Sequence, residues 1–152
     1  MSHIDRLTLF LSDRDNRSLS SARAADGLPA ADRIRAAMQL WQQGVSAEQI
    51  DSLAEDLRRE RRARTGKENE RQIKVSVILG AATHQALALA RIRDGIPAAE
   101  RVRAALHQWQ QDPQFRVAVD ELASDLRRER FANRPAGGSP AVPPDLTVTA
   151  AS

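Results

Sequence analysis

Apolar and polar residues alternate along two short segments of the chain, residues 6–12 and 73–79. An alternation with a period of two is typical of a β-strand that buries one face and exposes the other. We therefore predict a strand in each segment. The predicted buried faces are formed by Leu7, Leu9 and Leu11 in the first strand, and by Ile73, Val75, Val77 and Leu79 in the second.

The first predicted strand is followed by three segments in which apolar residues recur at helical spacing. Ser12 and Asp15 form a capping box that predicts the start of the first helix, and Gly27 predicts its end. Pro29 stands at the start of a second helix, and Ser46 stands near the start of a third. The predicted apolar positions of the three helices are Leu19 and Ala22, then Ile34, Ala37, Met38 and Trp41, then Ile50, Leu53, Ala54 and Leu57.

The second half of the chain repeats this order of elements, so the chain is a tandem duplication. Residues 26–43 and 94–111 are identical at 12 of 18 aligned positions. Gly95 again predicts the end of the first helix. The predicted apolar positions after the second strand are Leu87, Ala90 and Ile92, then Val102, Ala105, Leu106 and Trp109, then Val119, Leu122, Ala123 and Leu126.

A single strand-helix-helix unit cannot satisfy its own backbone, because both edges of its strand would lack hydrogen-bond partners. A unit of about 60 residues also buries little surface alone. We therefore predict that the two strands pair as an antiparallel ribbon, and we prefer pairing within one chain to pairing between two chains. The predicted fold class is mainly α with a short two-stranded antiparallel ribbon, built from two tandem units that are each followed by an extra helix.

Composition shifts predict where these units begin and end. Residues 1–64 form the first unit with its third helix, and residues 73–132 form the second. Residues 65–72 are rich in charge of both signs and are interpreted as a linker. Residues 133–152 contain closely spaced proline and glycine and are predicted to be disordered.

The composition excludes several classes of function. The chain has no cysteine, which excludes disulfides, thiolate nucleophiles and cysteine-bound metals. No apolar run is long enough to cross a bilayer, so we expect a cytoplasmic protein without a membrane partner. His3, His84 and His107 align with no catalytic pattern, and no glycine-rich phosphate loop exists. We therefore expect neither an enzyme, a metal site nor a cofactor.

Three features of the first half recur in the second half: the strand at residues 6–12, the turn at residues 26–29 and the helix at residues 34–41. In this order they resemble the ribbon-helix-helix family of DNA-binding proteins, over residues 5–43 and 73–111. Two units of that family pair their strands into a ribbon that enters the major groove, where outward side chains read base edges. The resemblance implies a pseudo-dimer that binds double-stranded DNA sequence-specifically, as a transcriptional repressor. The implied base-reading residues are Arg6, Thr8, Phe10, Lys74, Ser76 and Ile78.

The resemblance also implies phosphate contacts at the start of each second helix, where unpaired amides attract anions. The sequence also departs from the family pattern at four positions. Pro29 and Pro97 replace the usual hydroxyl cap, and Phe10 and Ile78 are apolar where a polar reader is common. These two apolar residues either contact thymine methyl groups or are covered by protein. The implied phosphate-binding residues are Ala30, Ala31 and Arg33 in the first unit, and Ala98, Ala99 and Arg101 in the second.

Other functions stay open at this point. The third helices and the C-terminal tail would bind a protein partner in an antitoxin-like or scaffold protein, and third helices would mediate self-association between molecules on adjacent DNA. Plasmid partition and relaxosome assembly are further roles for the same DNA-binding fold. The recurring Trp41 and Trp109 are interpreted as core residues. We predict that the leucines of the third helices pack against the paired units or against a neighbouring molecule; they are Leu53, Leu57, Leu122 and Leu126.

Overall fold

The computed structural model of the chain describes residues 6–63 and 72–132. It is mainly helical, with one two-stranded antiparallel sheet, as the sequence predicts. The predicted linker, apart from its last residue, and the predicted tail lie outside the described residues. The elements in chain order are β1 (Arg6–Ser12), α1 (Asp13–Asp26), α2 (Ala30–Gln42), α3 (Ala47–Ala63), β2 (Gln72–Ile78), α4 (Ala81–Asp94), α5 (Ala98–Gln111) and α6 (Pro113–Ala132).

The ends of the first helix of each unit follow the predicted signals. The backbone N–H of Asp15 donates to the Ser12 hydroxyl at 3.1 Å and so caps the start of α1. Gly27 and Gly95 end α1 and α4 with φ values of 78° and 76°, a left-handed conformation in which a side chain is disfavoured. Gly80 replaces the capping serine in the second unit, so α4 begins without a side-chain cap.

β1 and β2 pair antiparallel with Thr8 opposite Ser76. These two residues occupy equivalent positions in the duplication, so the two units are related by a pseudo-twofold axis through the centre of the ribbon. The second strand is displaced by one residue from its predicted bounds. It includes Gln72, which was assigned to the linker, and it ends before Leu79, whose buried side chain still joins the core.

The inner face of the ribbon and the two second helices form one hydrophobic core. α2 packs against α5, and the side chains of Trp41 and Trp109 are buried, as predicted for core residues. One predicted core position is wrong, because Ile92 is 82% exposed. The buried positions of α4 are Thr83, Leu87 and Ala90, and a face with that spacing does not include residue 92.

The third helices exchange partners between the units. α3 of the first unit packs on α5 of the second, and α6 packs on α2. The predicted packing of the third helices against the paired units is confirmed, with the four leucines partly buried against the core. Each third helix therefore covers the second helix of the other unit. Its fully buried residues are Ile50 and Ala54 in α3, and Phe115, Val119 and Ala123 in α6.

Candidate nucleic-acid interface

The outer face of the ribbon carries six side chains that alternate with the inward-facing ones, and the exposed Gln72 extends this face at the start of β2. All six are exposed, including two large apolar side chains, since Phe10 is 45% exposed and Ile78 is 53% exposed. The described part of the protein therefore does not cover these two residues. The six are Arg6, Thr8, Phe10, Lys74, Ser76 and Ile78, the set that the resemblance implies for base reading.

The register of the ribbon gives each end of this face the same combination of chemistry. The cross-strand pairs are Arg6 with Ile78, Thr8 with Ser76, and Phe10 with Lys74. Each end thus presents one cation and one apolar side chain, and the centre presents two hydroxyl groups whose oxygens lie 3.1 Å apart. The face can donate hydrogen bonds to base edges and can contact pyrimidine methyl groups. Its two ends are similar in character but carry different residues.

The N-terminus of α2 presents unpaired backbone amides. The amides of Asp32 and Arg33 donate to the Pro29 carbonyl at 3.1 and 3.4 Å, which leaves those of Ala30 and Ala31 as the donors of the first turn. The N-terminus of α5 has the same arrangement, with the amides of residues 100 and 101 bonded to the Pro97 carbonyl. Both helix ends retain the donors that an anion would need. The alanines concerned are half-buried: Ala30, Ala31, Ala98 and Ala99.

Arg33 does not have the position that phosphate binding requires. Its side chain is 1% exposed, and its guanidinium group is used inside the protein. Nε donates to Asp120 at 3.0 Å, Nη1 donates to the Leu28 carbonyl at 3.0 Å, and Nη2 pairs with Asp26. The group also lies 5.7 Å from the centre of the Trp109 ring. The expectation that Arg33 contacts phosphate is therefore wrong.

Arg101 is buried in the same way and is also not a phosphate ligand. Its Nε donates to Asp51 at 3.0 Å, its Nη1 donates to the Ile96 carbonyl at 3.1 Å, and its Nη2 pairs with Asp94. Burial alone would raise the pKa of Asp94, but hydrogen bonds from Arg101 and the Ile96 amide, with the charge of Arg101, hold it below its ordinary value. Asp51 also accepts a 2.9 Å hydrogen bond from Trp41 Nε1.

These two buried arginine sites explain how the third helices are fixed. Asp51 lies on α3 and Asp120 on α6, and each binds an arginine of the other unit together with the tryptophan of its own unit. The sequence analysis did not predict that these arginines bind the third helices, although the repeat pattern contains a sign of it. Arginine and both of its aspartate partners recur in each half of the duplication, at Asp26, Arg33 and Asp51 and at Asp94, Arg101 and Asp120.

The two units differ where the first helix of one meets the second helix of the other. Asp15 on α1 is buried and accepts a 2.8 Å hydrogen bond from Gln110, with His107 Nε2 at 3.7 Å. Burial alone would raise the pKa of Asp15, but the nearby imidazole of His107, when protonated, and the hydrogen bond from Gln110 hold it below its ordinary value. The equivalent contact in the other half is uncharged, with Thr83 donating to Gln42 at 2.7 Å. His107 is thus a partly buried contact between units.

Within residues 6–63 and 72–132, no group of histidine, aspartate and glutamate side chains is arranged to hold a metal ion. None of the helices in these ranges is long and apolar enough to span a membrane. Comparison of the chain with protein-family models, curated proteins and solved structures finds no match. The ribbon-helix-helix resemblance therefore stays a prediction.

Proposed function

We propose that the protein binds double-stranded DNA sequence-specifically by placing the outer face of the ribbon in the major groove, and that it acts as a transcriptional repressor. The observation that carries this proposal is the composition of that face. Cations, hydroxyl groups and uncovered apolar side chains lie together on one side of a ribbon whose other side belongs to the core. The two exposed apolar side chains share a face with the hydrogen-bond donors, as contact with thymine methyl groups beside base edges would require.

The dimensions of the ribbon suit this placement. The major groove is about 12 Å wide and admits a two-stranded ribbon whose strands are about 4.8 Å apart. At about 3.3 Å per residue, the outward positions of one strand cover roughly 13 Å, or about four base pairs at 3.4 Å each. The ribbon is therefore long enough to read a short core sequence.

Each side chain of the face has a base group that suits its chemistry. Arg6 can donate two parallel hydrogen bonds to guanine, whereas Lys74 is a point charge on a flexible stem and selects less strictly. Thr8 and Ser76 can bond to several bases. The two ends of the ribbon should then prefer different bases. We expect an asymmetric operator, with the half that contacts Arg6 more strictly specified.

The starts of α2 and α5 supply the contacts that position the protein on the backbone. Their unpaired amides and the positive end of the helix dipole favour phosphate oxygens. The proposal assigns this role to the amides of Ala30, Ala31, Ala98 and Ala99, without Arg33 and Arg101. These contacts carry no sequence information, so their loss would weaken binding to all DNA equally.

The test begins with selection of binding sequences from random DNA by the purified protein. On the selected site, Arg6→Ala and Lys74→Ala should each weaken binding by about 1–3 kcal/mol, with little change in stability. Arg17→Ala is the matched control, because Arg17 is exposed and pairs with Asp13 within α1. If the Arg6 and Lys74 variants bind the selected DNA as tightly as the parent protein does, ribbon reading is wrong.

The alternative of a protein-docking role for the third helices is not favoured. The leucines that would form a docking stripe on α3 and α6 pack against the core of the same chain. An antitoxin-like or scaffold protein would therefore need another surface, and self-association through these leucines would require the helices to detach. Plasmid partition and relaxosome assembly use DNA binding as well, and the operator's location would separate them from repression.

A further inference from the structure

A buried carboxylate in the first turn of α2 is paired with two arginines. Asp32 is 0% exposed and lies 3.5 Å from Arg35 of the same helix. Its other partner is Arg130 of α6, whose Nη2 donates to Asp32 Oδ2 at 3.2 Å. The end of a third helix thus meets the beginning of the other unit's second helix.

The second half of the chain repeats this cluster with a longer acid. Glu100 of α5 is 5% exposed and binds Arg61 of α3 at 2.9 Å and Arg103 at 3.0 Å. Arg61 and Arg130 are equivalent positions of the duplication, as are Arg35 and Arg103. We call these two groups the arginine clusters.

Each cluster carries a surplus of positive charge, because two guanidinium groups share one carboxylate. Burial lowers the pKa of Arg103, Glu100 raises it and the charge of Arg61 lowers it further, as expected where like charges are close. Arginine remains charged at neutral pH even so. The surplus faces solvent, since the side chains of Arg61 and Arg130 are 50% and 47% exposed.

The clusters lie beside the ribbon. Arg103 Nε donates to the backbone carbonyl of Phe10 at 2.8 Å, which joins one cluster directly to the end of β1. α2 packs against β2 just as α5 packs against β1. The pseudo-twofold axis through Thr8 and Ser76 relates the two clusters, so they flank opposite ends of the ribbon.

We propose that the two arginine clusters bind the sugar-phosphate backbones on the two sides of the groove that the ribbon occupies, with Arg61 and Arg130 as the contacting residues. This inference rests on the proposed DNA-binding function. Guanidinium groups can hold phosphate oxygens in a bidentate way, and the backbone phosphates flank the groove. The third helix of each unit then completes the phosphate contacts of the other unit.

The experiment measures DNA affinity as a function of salt concentration for the double variant Arg61→Gln/Arg130→Gln. Each lost phosphate contact reduces the slope of log K against log salt by about 0.9, so we expect a reduction of about 1.8. The reduction should be equal for the selected site and for random DNA, and the preferred sequence should not change. An unchanged slope would overturn the inference.

Two further variants separate phosphate binding from a structural role. The variant Arg61→Lys/Arg130→Lys keeps both charges and should keep most of the salt dependence of binding. If its slope falls as much as that of the glutamine variant, the arginines only support the fold. Arg59→Gln/Arg128→Gln is the matched control, because these arginines are equivalent positions on α3 and α6 that pair with acids of their own helix. If the slope falls equally in this control, the effect comes from the total charge of the protein, and the assigned role of the arginine clusters is wrong.

Failure of this inference is distinguishable from failure of the proposed function. If the parent protein binds no DNA at any salt concentration, both are wrong. If the parent binds and Arg6→Ala loses sequence preference, while the cluster variant keeps the parent's slope, only the role of the clusters is wrong. Thermal melting of each variant by circular dichroism shows that the compared proteins are folded.

Discussion

Replacing Asp51 with alanine tests how strongly the third helix is held to the other unit. Asp51 Oδ1 accepts hydrogen bonds from Trp41 Nε1 at 2.9 Å and from Arg101 Nε at 3.0 Å. The alanine variant leaves both donors without this partner. Arg101 keeps its contacts with Asp94 and the Ile96 carbonyl, so its charge stays paired.

The size of the effect follows from these two bonds. A hydrogen bond that involves a charged group contributes about 1.5–3 kcal/mol, and a buried donor left without a partner costs about 1–3 kcal/mol. The Asp51 side chain is 32% exposed, so water can enter and replace part of what is lost. We therefore expect Asp51→Ala to lower the free energy of unfolding by about 2–4 kcal/mol.

Urea unfolding followed by circular dichroism and tryptophan fluorescence measures this change. Asp56→Ala is the control on the same helix, because Asp56 is 57% exposed and pairs with the neighbouring Arg59 of that helix. We expect the control to change stability by less than about 0.5 kcal/mol. The equivalent Asp120→Ala should resemble Asp51→Ala, since Asp120 binds Arg33 and Trp109 in the same way. If Asp51→Ala costs no more than Asp56→Ala, the third helices are not fixed by these carboxylates.

Three further predictions concern the ribbon, the contact between units and the oligomeric state. If Phe10 and Ile78 contact thymine methyl groups, replacing those thymines of the selected site with deoxyuridine should weaken binding about fourfold, because a buried methyl group contributes about 0.8 kcal/mol. In the Phe10→Ala variant, thymine and deoxyuridine at the position that Phe10 contacts should bind equally well. Since folding lowers the pKa of Asp15 below 3.8, its ionised form stabilises the fold near neutral pH, and this contribution is lost as the pH falls below that value. Asp15→Asn should accordingly lower the free energy of unfolding near neutral pH and have little effect in acid, whereas an effect independent of pH would contradict the assigned pairing. Because β1 and β2 of one chain pair with each other, sedimentation at micromolar concentration should give a folded monomer of 16.8 kDa, and an obligate dimer would contradict pairing within the chain.

Much of the candidate site was predictable from the sequence because a strand records its two faces in alternate residues. The positions Arg6, Thr8 and Phe10 share a face for that reason, and their equivalents in the second strand follow from the duplication. The duplication favours antiparallel pairing about a pseudo-twofold axis, but only the structure shows that this axis passes between Thr8 and Ser76. The exposure of Phe10 was not predictable from the sequence. Another part of the protein could cover the outer face of the ribbon without changing the alternation of apolar and polar residues along the strand.

The sequence by itself determined the elements and most of their ends, since apolar spacing and glycine at a left-handed position act over a few neighbouring residues. Only the tertiary structure decided where the charges lie. Arg33 meets Asp120 across 87 residues of sequence, and that contact exists because α6 crosses to the other unit. A charged residue near the start of a helix has the same local pattern whether it faces DNA or a buried carboxylate. Whether such a residue binds DNA or a carboxylate of the protein therefore depends on which helix packs against it. The spacing of nearby residues does not predict that contact.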